Sequence, residues 1–508
     1  MTAIPASSSA TGIHWPTAQA TSLQNIVFQM SAASGTQHQG VFIESGSGGF
    51  LNDLVFNGGL NGVVFGNQQF TVRNLTFNHA VTAISQIWDW GWTYKGININ
   101  NCKIGIDMTN GNANPLTVGS VTLLDSTITN TPVGIKTDRK AGTSSPATAG
   151  SLVLENVGLT NVPVAIQLGT SGTTLLAGTT GTTTIAAWGS GNLYNPTGAT
   201  TTQGSFTPPT RPTSLVSAGK YYQQSKPQYN NLPVTSFKSV RSGGAKGDGV
   251  TDDTVAVQNV ITAAAAAGNV VFFDAGTYKV TKTIFVPAGS KIVGESYSVI
   301  MSSGSYFSNV NSPQAVVQVG NPGNTGVVQW SDMIVSTQGA QGGAILIVWN
   351  LASTAAAPSG MWDVHTRIGG FTGSNLQKAN CPTTPSSTAI NYNCLGAYMS
   401  MHVTASAAAL YMENVWLWTA DHDVDDPNLT QITVYTGRGL LIDSTAGTFW
   451  LYVYYFLRLV MIYLTFDRVG TAVEHHQRYQ YQISTKNVFM GQIQTETPCK
   501  WPSLFSFK

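Results

Sequence analysis

A short strand-like phrase returns again and again through the first third of the chain. Gln24-Asn25-Ile26-Val27-Phe28, Asn52-Asp53-Leu54-Val55-Phe56-Asn57, Arg73-Asn74-Leu75-Thr76-Phe77-Asn78 and Lys95-Gly96-Ile97-Asn98-Ile99-Asn100 share one apolar/polar alternation, with Ile26, Leu54, Leu75 and Ile97 standing 28, 21 and 22 residues apart. Weaker copies follow at Ser126-Thr127-Ile128-Thr129-Asn130 and Asn156-Val157-Gly158-Leu159-Thr160-Asn161. An alternating strand at such a period marks a solenoid, because a single coil is too thin to bury its inward side chains and does so only by stacking on the next. No helical periodicity separates the phrases, which favours a parallel β-helix over a leucine-rich repeat. The Asn residues at the phrase ends suit sharp corners and predict stacked amide ladders.

Composition agrees with an all-β reading. Only 9% of the 508 residues are charged, and Thr, Ser, Asn and 53 Gly take their place, a mixture that disfavours helices and suits short strands with polar turns. A formal net charge of +1 offers nothing to a nucleic-acid backbone, so no nucleic-acid partner is expected. No cofactor is expected either.

The four cysteines show no C-x-x-C spacing, which leaves a zinc site unsupported. Cys381 and Cys394 flank a polar, Pro-rich loop that a disulfide would close in an oxidising compartment. The start lacks both a basic stretch and an apolar run, so either the protein is cytosolic or its true N-terminus lies upstream.

Three segments follow from the texture: a β-helix over 1–169, a Gly/Thr/Ser/Pro-rich linker over 170–235 that Trp188, Tyr194, Tyr221 and Tyr222 could pin to a surface, and a second β-helix over 236–508. One helix is predicted, from Val255 to Ala267, opened by Asp252, Asp253 or Thr254 and closed by Gly268. With the strand Val270-Val271-Phe272-Phe273 behind it, that helix caps the open end of the second solenoid.

Here the chain becomes recognisable. Gly244-Ala245-Lys246-Gly247-Asp248-Gly249 with Phe273-Asp274-Ala275-Gly276-Thr277-Tyr278 resembles the opening of pectate-lyase-like β-helix domains, in which Asp248, Asp252 and Asp253 read as turn and cap residues. Phe65-Gly66-Asn67-Gln68-Gln69-Phe70, Trp88-Asp89-Trp90-Gly91-Trp92, Glu413-Asn414-Val415-Trp416-Leu417-Trp418-Thr419-Ala420-Asp421-His422 and Gln492-Ile493-Gln494-Thr495-Glu496-Thr497-Pro498 are similar to glycoside hydrolase family 55. That resemblance implies tandem right-handed β-helices with a pocket between them, a secreted protein, and inverting release of glucose from the non-reducing end of β-1,3-glucan. The polysaccharide is the expected partner; a monomer without membrane contact is expected.

Inverting hydrolysis needs an acid on the leaving oxygen and a base-activated water on the other ring face, with carboxyls roughly 6.5–9.5 Å apart. Glu474 and Glu496 stand 22 residues apart, close to one coil, so both project from one face on successive coils. The resemblance implies Glu496 as the acid and places Glu474 beside the attacking water. The apolar lead-in Val488, Phe489, Met490 and Ile493 suggests a desolvated Glu496 with a raised pKa. Gln68, Gln69 and Gln86 are candidates for holding that water, or else ladder residues.

Trp418, Asp421 and His422 suit a sugar subsite, the indole stacking on the pyranose and the carboxylate and imidazole binding hydroxyls. Trp416 is either core or a second stacking surface. Trp88, Trp90 and Trp92 alternate and are expected to share one face. His475 and His476, adjacent on a strand, point oppositely, so no metal is expected.

Two stretches depart from the family pattern. Residues 453–465 form a bulky apolar run, too short to span a bilayer. Codons for Leu451-Tyr452-Val453 and for Asp467-Arg468 accommodate splice signals, as do those for Cys499-Lys500-Trp501. Residues 452–468 and 500–508 are therefore expected to be translated introns, and Met1 an internal methionine.

Overall fold

The computed structural model describes residues 1, 3–110, 116–140, 149–195, 197–384, 389–452, 472–491 and 494–496. The chain divides into two compact units, with the break in the connecting segment falling between Ser225 and Lys226.

The first unit is a parallel β-helix, and the repeated phrases are its coils in register. Phe28, Phe56, Phe77, Ile99, Ile128 and Leu159 form one inward column. Phe28 on Phe56 and Phe56 on Phe77 stack at 4.8 Å between centroids, each such pair contributing about 0.5–1.5 kcal/mol beyond its burial. At the corner before each phrase, Asn25, Asp53, Asn74, Gly96, Asp125 and Asn156 all adopt left-handed backbone, with φ between 52° and 64°. Asn and Asp tolerate that region and bond locally, and Gly enters it without a Cβ clash. At the other phrase end the expected ladder is present: Asn78 donates to Asn57 at 2.8 Å, and Asn100 donates to Asn78 at 3.1 Å.

The expected linker over 170–235 needs correction. Thr174–Asn195 is a long strand antiparallel to Ser151–Leu168, and Gly198–Ser205 folds back on it. Its Thr-rich run shows no core-facing period, yet β-branched Thr suits a strand wherever the open edge of a last coil offers hydrogen-bond partners. Trp188, 2% exposed, anchors this cap. Only the stretch from Phe206 onward is a connection. Arg211 pins it to Asp125 and Glu155, and Ser225 bonds Asp53. From Lys226 the chain belongs to the second unit, ten residues before the expected boundary, because that ammonium is buried between Asp332 and Asp363 at 2.7 and 2.8 Å.

The second unit is again a parallel β-helix. Its helix runs Thr254–Ala266 with Asp253 at the N-cap position. The acidic residues are structural, as expected: Asp253 accepts from the Lys246 and Gly247 amides, Asp252 from Thr254, and Asp248 from Val250 and Thr251. Val271, Ile292, Trp330, Met361, Met412, Leu451 and Met490 stack as one core column.

Register also measures the departure noted above. Glu413 pairs with Tyr452 and Trp416 with Ala472, so two residues, Asn414 and Val415, turn the corner in one coil where nineteen, 453–471, lie between the same positions of the next. The surplus of seventeen equals the length of 452–468. Residues 453–471, the 500–508 tail and Cys499 lie outside the described residues. Among the described residues no helix is long and apolar enough to cross a membrane.

Candidate active site

Parallel stacking places residues one coil apart side by side, and it does so for both candidate carboxylates. Trp418 pairs with Glu474 and Glu474 with Glu496, on the strands Trp416–Thr419, Ala472–Glu474 and Gln494–Glu496. Leu417 and Val473, between them in sequence, fill the core at 0% exposure, so alternation turns Trp416, Trp418, Glu474 and Glu496 to the opposite, outward face. Adjacent strands lie about 4.8 Å apart, which puts the carboxyl-bearing backbones within one strand spacing.

The two carboxylates have different surroundings. Glu474 is 2% exposed; its Oε2 accepts the Trp416 indole N–H at 3.0 Å, while its Oε1 has no partner among the described residues. Burial, then the charges of Glu496 and Asp421, lift its pKa to about 8 against the opposing indole hydrogen bond. Glu496 has a side chain 51% exposed, with His475 Nε2 3.6 Å from its Oε2. The desolvation expected around Glu496 is thus found around Glu474, because Glu474 lies under neighbours from other coils whereas Glu496 lies on the last described strand.

The sugar-subsite candidates gather beside this pair. Trp418, 3% exposed, stacks on Trp416 with centroids 5.0 Å apart and planes at 19°, and meets the His422 ring at 5.3 Å. Asp421 Oδ1 pairs with His422 Nδ1 at 2.8 Å and lies 3.9 Å from His475 Nε2. Burial pushes the Asp421 carboxyl upward, but His422 and His475 outweigh it and hold it below the usual range. The bond from Asp421 in turn raises His422. The open alternative for Trp416 resolves in part: its indole N–H is committed to Glu474.

The Gln candidates lie in the first unit and are largely occupied. Gln86, fully buried, accepts from the Tyr94 hydroxyl and donates to Trp88 O at 3.4 Å. Gln69, also fully buried, donates to Gln68 Oε1 at 3.1 Å. The three tryptophans nearby do not share a face: Trp92 is 1% exposed, Trp90 46%, and Trp88 half-buried with its indole on Glu44 O.

His475 and His476 do diverge, His475 toward Asp421 and Glu496, His476 into the interior on Ser400 at 2.7 Å. Among the described residues no group of three potential ligands gathers around a metal-sized site. Cys381 and Cys394 are disulfide-bonded, their Cα atoms 5.8 Å apart. Sequence reasoning missed two contributors. His475 adopts φ 63°, a left-handed conformation that His tolerates better than most side chains, and lies beside Asp421 and Glu496. His365, one coil before Trp416, accepts the Trp416 backbone N–H at 3.1 Å, and burial depresses its pKa to about 4. Counting back one coil from Trp416 would have found it.

Comparison with known proteins finds relatives along almost the whole chain. Over 99% of its length the chain is 47% identical to "Glucan 1,3-beta-glucosidase" of Cochliobolus carbonum, and over 96% it is 38% identical to "Probable glucan endo-1,3-beta-glucosidase" of Arthroderma benhamiae. The chain is thus related along almost all of its length to these two fungal proteins. A family model described as "Rhamnogalacturonase A/epimerase, pectate lyase-like" matches this chain twice, over residues 1–107 and 237–357, once in each β-helix. The chain spans 61% and 64% of the lengths of those two fungal relatives. It also resembles the structure of sacteLam55A from Streptomyces sp. SirexAA-E, at 14% identity and a TM-score of 0.38, covering 94% of this chain and 73% of that one.

Proposed function

We propose that the protein hydrolyses β-1,3-glucan from the non-reducing end with inversion, releasing glucose. The observation that carries this reading is the in-register pair Glu474 and Glu496, two carboxyls on consecutive coils with Asp421 and His422 beside them. The names of the two fungal relatives support the substrate class, and because one carries an exo-type and the other an endo-type name, the mode of attack rests on the proposal alone.

In the proposed reaction Glu496 protonates the glycosidic oxygen as the C1–O bond breaks, and a water oxygen bonds C1 from the opposite face. The water's proton leaves to a base or through solvent. Glu474, protonated up to about pH 8, is poorly placed to be that base. It instead presents Oε1 as a hydrogen-bond donor that orients the water or a sugar hydroxyl. Asp421 and His422 hold hydroxyls of the bound sugar, while Trp418, buried on Trp416, packs behind them. Secretion is part of the proposal, supported by the Cys381–Cys394 disulfide, since such bonds persist in oxidising compartments.

Laminarin is the test substrate. Glucose as the sole early product, first appearing as the α-anomer by proton NMR and lost by at least about a thousandfold in Glu496→Gln, is the expected result. Oligosaccharides as early products would make the enzyme endo-acting, and β-glucose would make it retaining. The family-model description favours a second reading, a pectin-type hydrolase or lyase; product from polygalacturonate or rhamnogalacturonan with none from laminarin would establish it.

A further inference from the structure

Asp421 and His422 stand just past the strand Trp416–Thr419, on a loop that runs on to Ile432. Loops are the mobile parts of a scaffold, so a loop residue binds sugar in one geometry only when something outside the loop holds it. The loop one coil earlier does so. Ile368 pairs with Thr419, and the segments beginning at Gly369 and Ala420 therefore leave the stack side by side. Their approach is close: Gly370 has φ 77°, and a Cβ there would stand 2.6 Å from His422 O.

Two buried carboxylates join the loops. Asp423, 2% exposed, accepts the Gln377 side-chain amide and the Lys378 backbone N–H, each at 3.1 Å, and the Asp425 N–H of its own loop at 3.2 Å. Asp426 accepts the Lys378 ammonium at 2.7 Å, and also the hydroxyl and N–H of Thr430. Backbone pairing carries the constraint back to the site. Asp423 N–H donates to Thr430 O at 2.9 Å, Ile432 N–H donates to Asp421 O at 2.8 Å, and His422 pairs antiparallel with Gln431. The far end is anchored as well, since Thr433 N–H donates to Cys381 O at 2.9 Å and Cys381 is disulfide-bonded to Cys394. Asp423 follows His422 directly, so slack at Asp423 reaches His422 within one residue, and a shift of about 1 Å takes a hydrogen bond out of range.

We propose that Asp423 is a positioning residue of the glucan site, gripping the 369–381 loop so that Asp421 and His422 stay aimed at the sugar, with Asp426 and Lys378 as a second fastening. The inference rests on Asp421 and His422 being hydroxyl ligands. Those contacts are made to the bound sugar before and during bond cleavage alike, so loosening them raises KM and leaves kcat in place.

Steady-state kinetics of the full chain on laminaritriose, with glucose as product inhibitor, test this. Asp423→Ala should raise KM and the glucose inhibition constant together, each about tenfold, with kcat within about twofold of the parent. Asp423→Asn, which keeps one acceptor oxygen, should recover most of the lost affinity. Gln377→Ala, at a half-buried side chain, should raise both constants about threefold and serves where the buried substitution does not fold. Asp248→Ala, at a turn beside the capping helix, should lower the melting temperature and move neither constant. Unchanged KM in Asp423→Ala, or in Gln377→Ala where Asp423→Ala does not fold, would overturn the proposal, as would a loss confined to kcat or an equal KM rise in Asp248→Ala. A parent chain that releases no glucose from laminaritriose would instead sink the functional reading, and the positioning role with it.

Discussion

The indole N–H of Trp416 lies 3.0 Å from Oε2 of Glu474, a residue 58 positions later in the chain and directly above its neighbour Trp418 in the coil stack. One oxygen of a buried carboxyl is thereby fixed, leaving the other aimed by its geometry. Trp416→Phe keeps the ring stacked on Trp418 but removes the donor. Stability should fall by about 1–3 kcal/mol, the cost of an unsatisfied buried oxygen, and glucose release from laminarin should fall mainly in kcat. Unchanged kcat with a raised KM would instead make Trp416 a binding surface.

Glu474 also predicts a pH dependence of stability. The folded state keeps its proton up to about pH 8, whereas in the unfolded chain the group titrates near 4.5. Its contribution is therefore fully present below pH 4.5 and is lost as pH rises toward 8. The loss is on the order of a few kcal/mol. Glu474→Gln, which mimics the protonated form, should be more stable than the parent at pH 8 and equal to it at pH 4. Urea titrations at the two pH values measure the difference, and parallel curves for both proteins would contradict it.

The same substitution separates two roles. If Glu474 acts as a neutral positioning group, Glu474→Gln should retain at least about a tenth of the laminarin activity and Glu474→Ala no more than about a hundredth. If it is the base, both fall equally.

The nineteen residues between Tyr452 and Ala472 invite excision. Joining Leu451 to Val469, by deleting 452–468, leaves Gly470 at the corner occupied one coil earlier by Asn414, whose φ is 52°. Glycine adopts that conformation freely, so the deletion fits the solenoid without strain. The shortened protein should melt several degrees higher and give more soluble protein than the parent. A spliced transcript should lack the same seventeen codons; a transcript retaining them, with a lower melting temperature for the deletion, would refute the reading.

Breaking the Cys381–Cys394 bond by replacing both with Ser should cost about 3 kcal/mol, the loop-closure value for a separation of 13 residues. Thermal denaturation of parent and double variant gives the number. Thiol titration of the denatured, unreduced parent should leave both cysteines unreactive.

The solenoid was legible because its physics is periodic: Ile26, Leu54, Leu75 and Ile97 had to stack for any coil to be buried, and the Asn and Asp at the corners declare the left-handed turns. The 22-residue interval likewise puts Glu474 and Glu496 in one column. Non-periodic features escaped. The Thr-rich stretch 174–205 lacks a core-facing pattern, and became strand only because an open coil edge was waiting for it.

What the sequence by itself determined, then, is the coil, the column and the residue types that the site presents. Which carboxyl is desolvated was decided only by the tertiary structure. Burial belongs to a residue's neighbours from other coils, and it is Trp416, at one coil's remove, that closes over Glu474 and leaves Glu496 open to water. A residue's partners across the stack set its proton affinity, and no local stretch of chain encodes them.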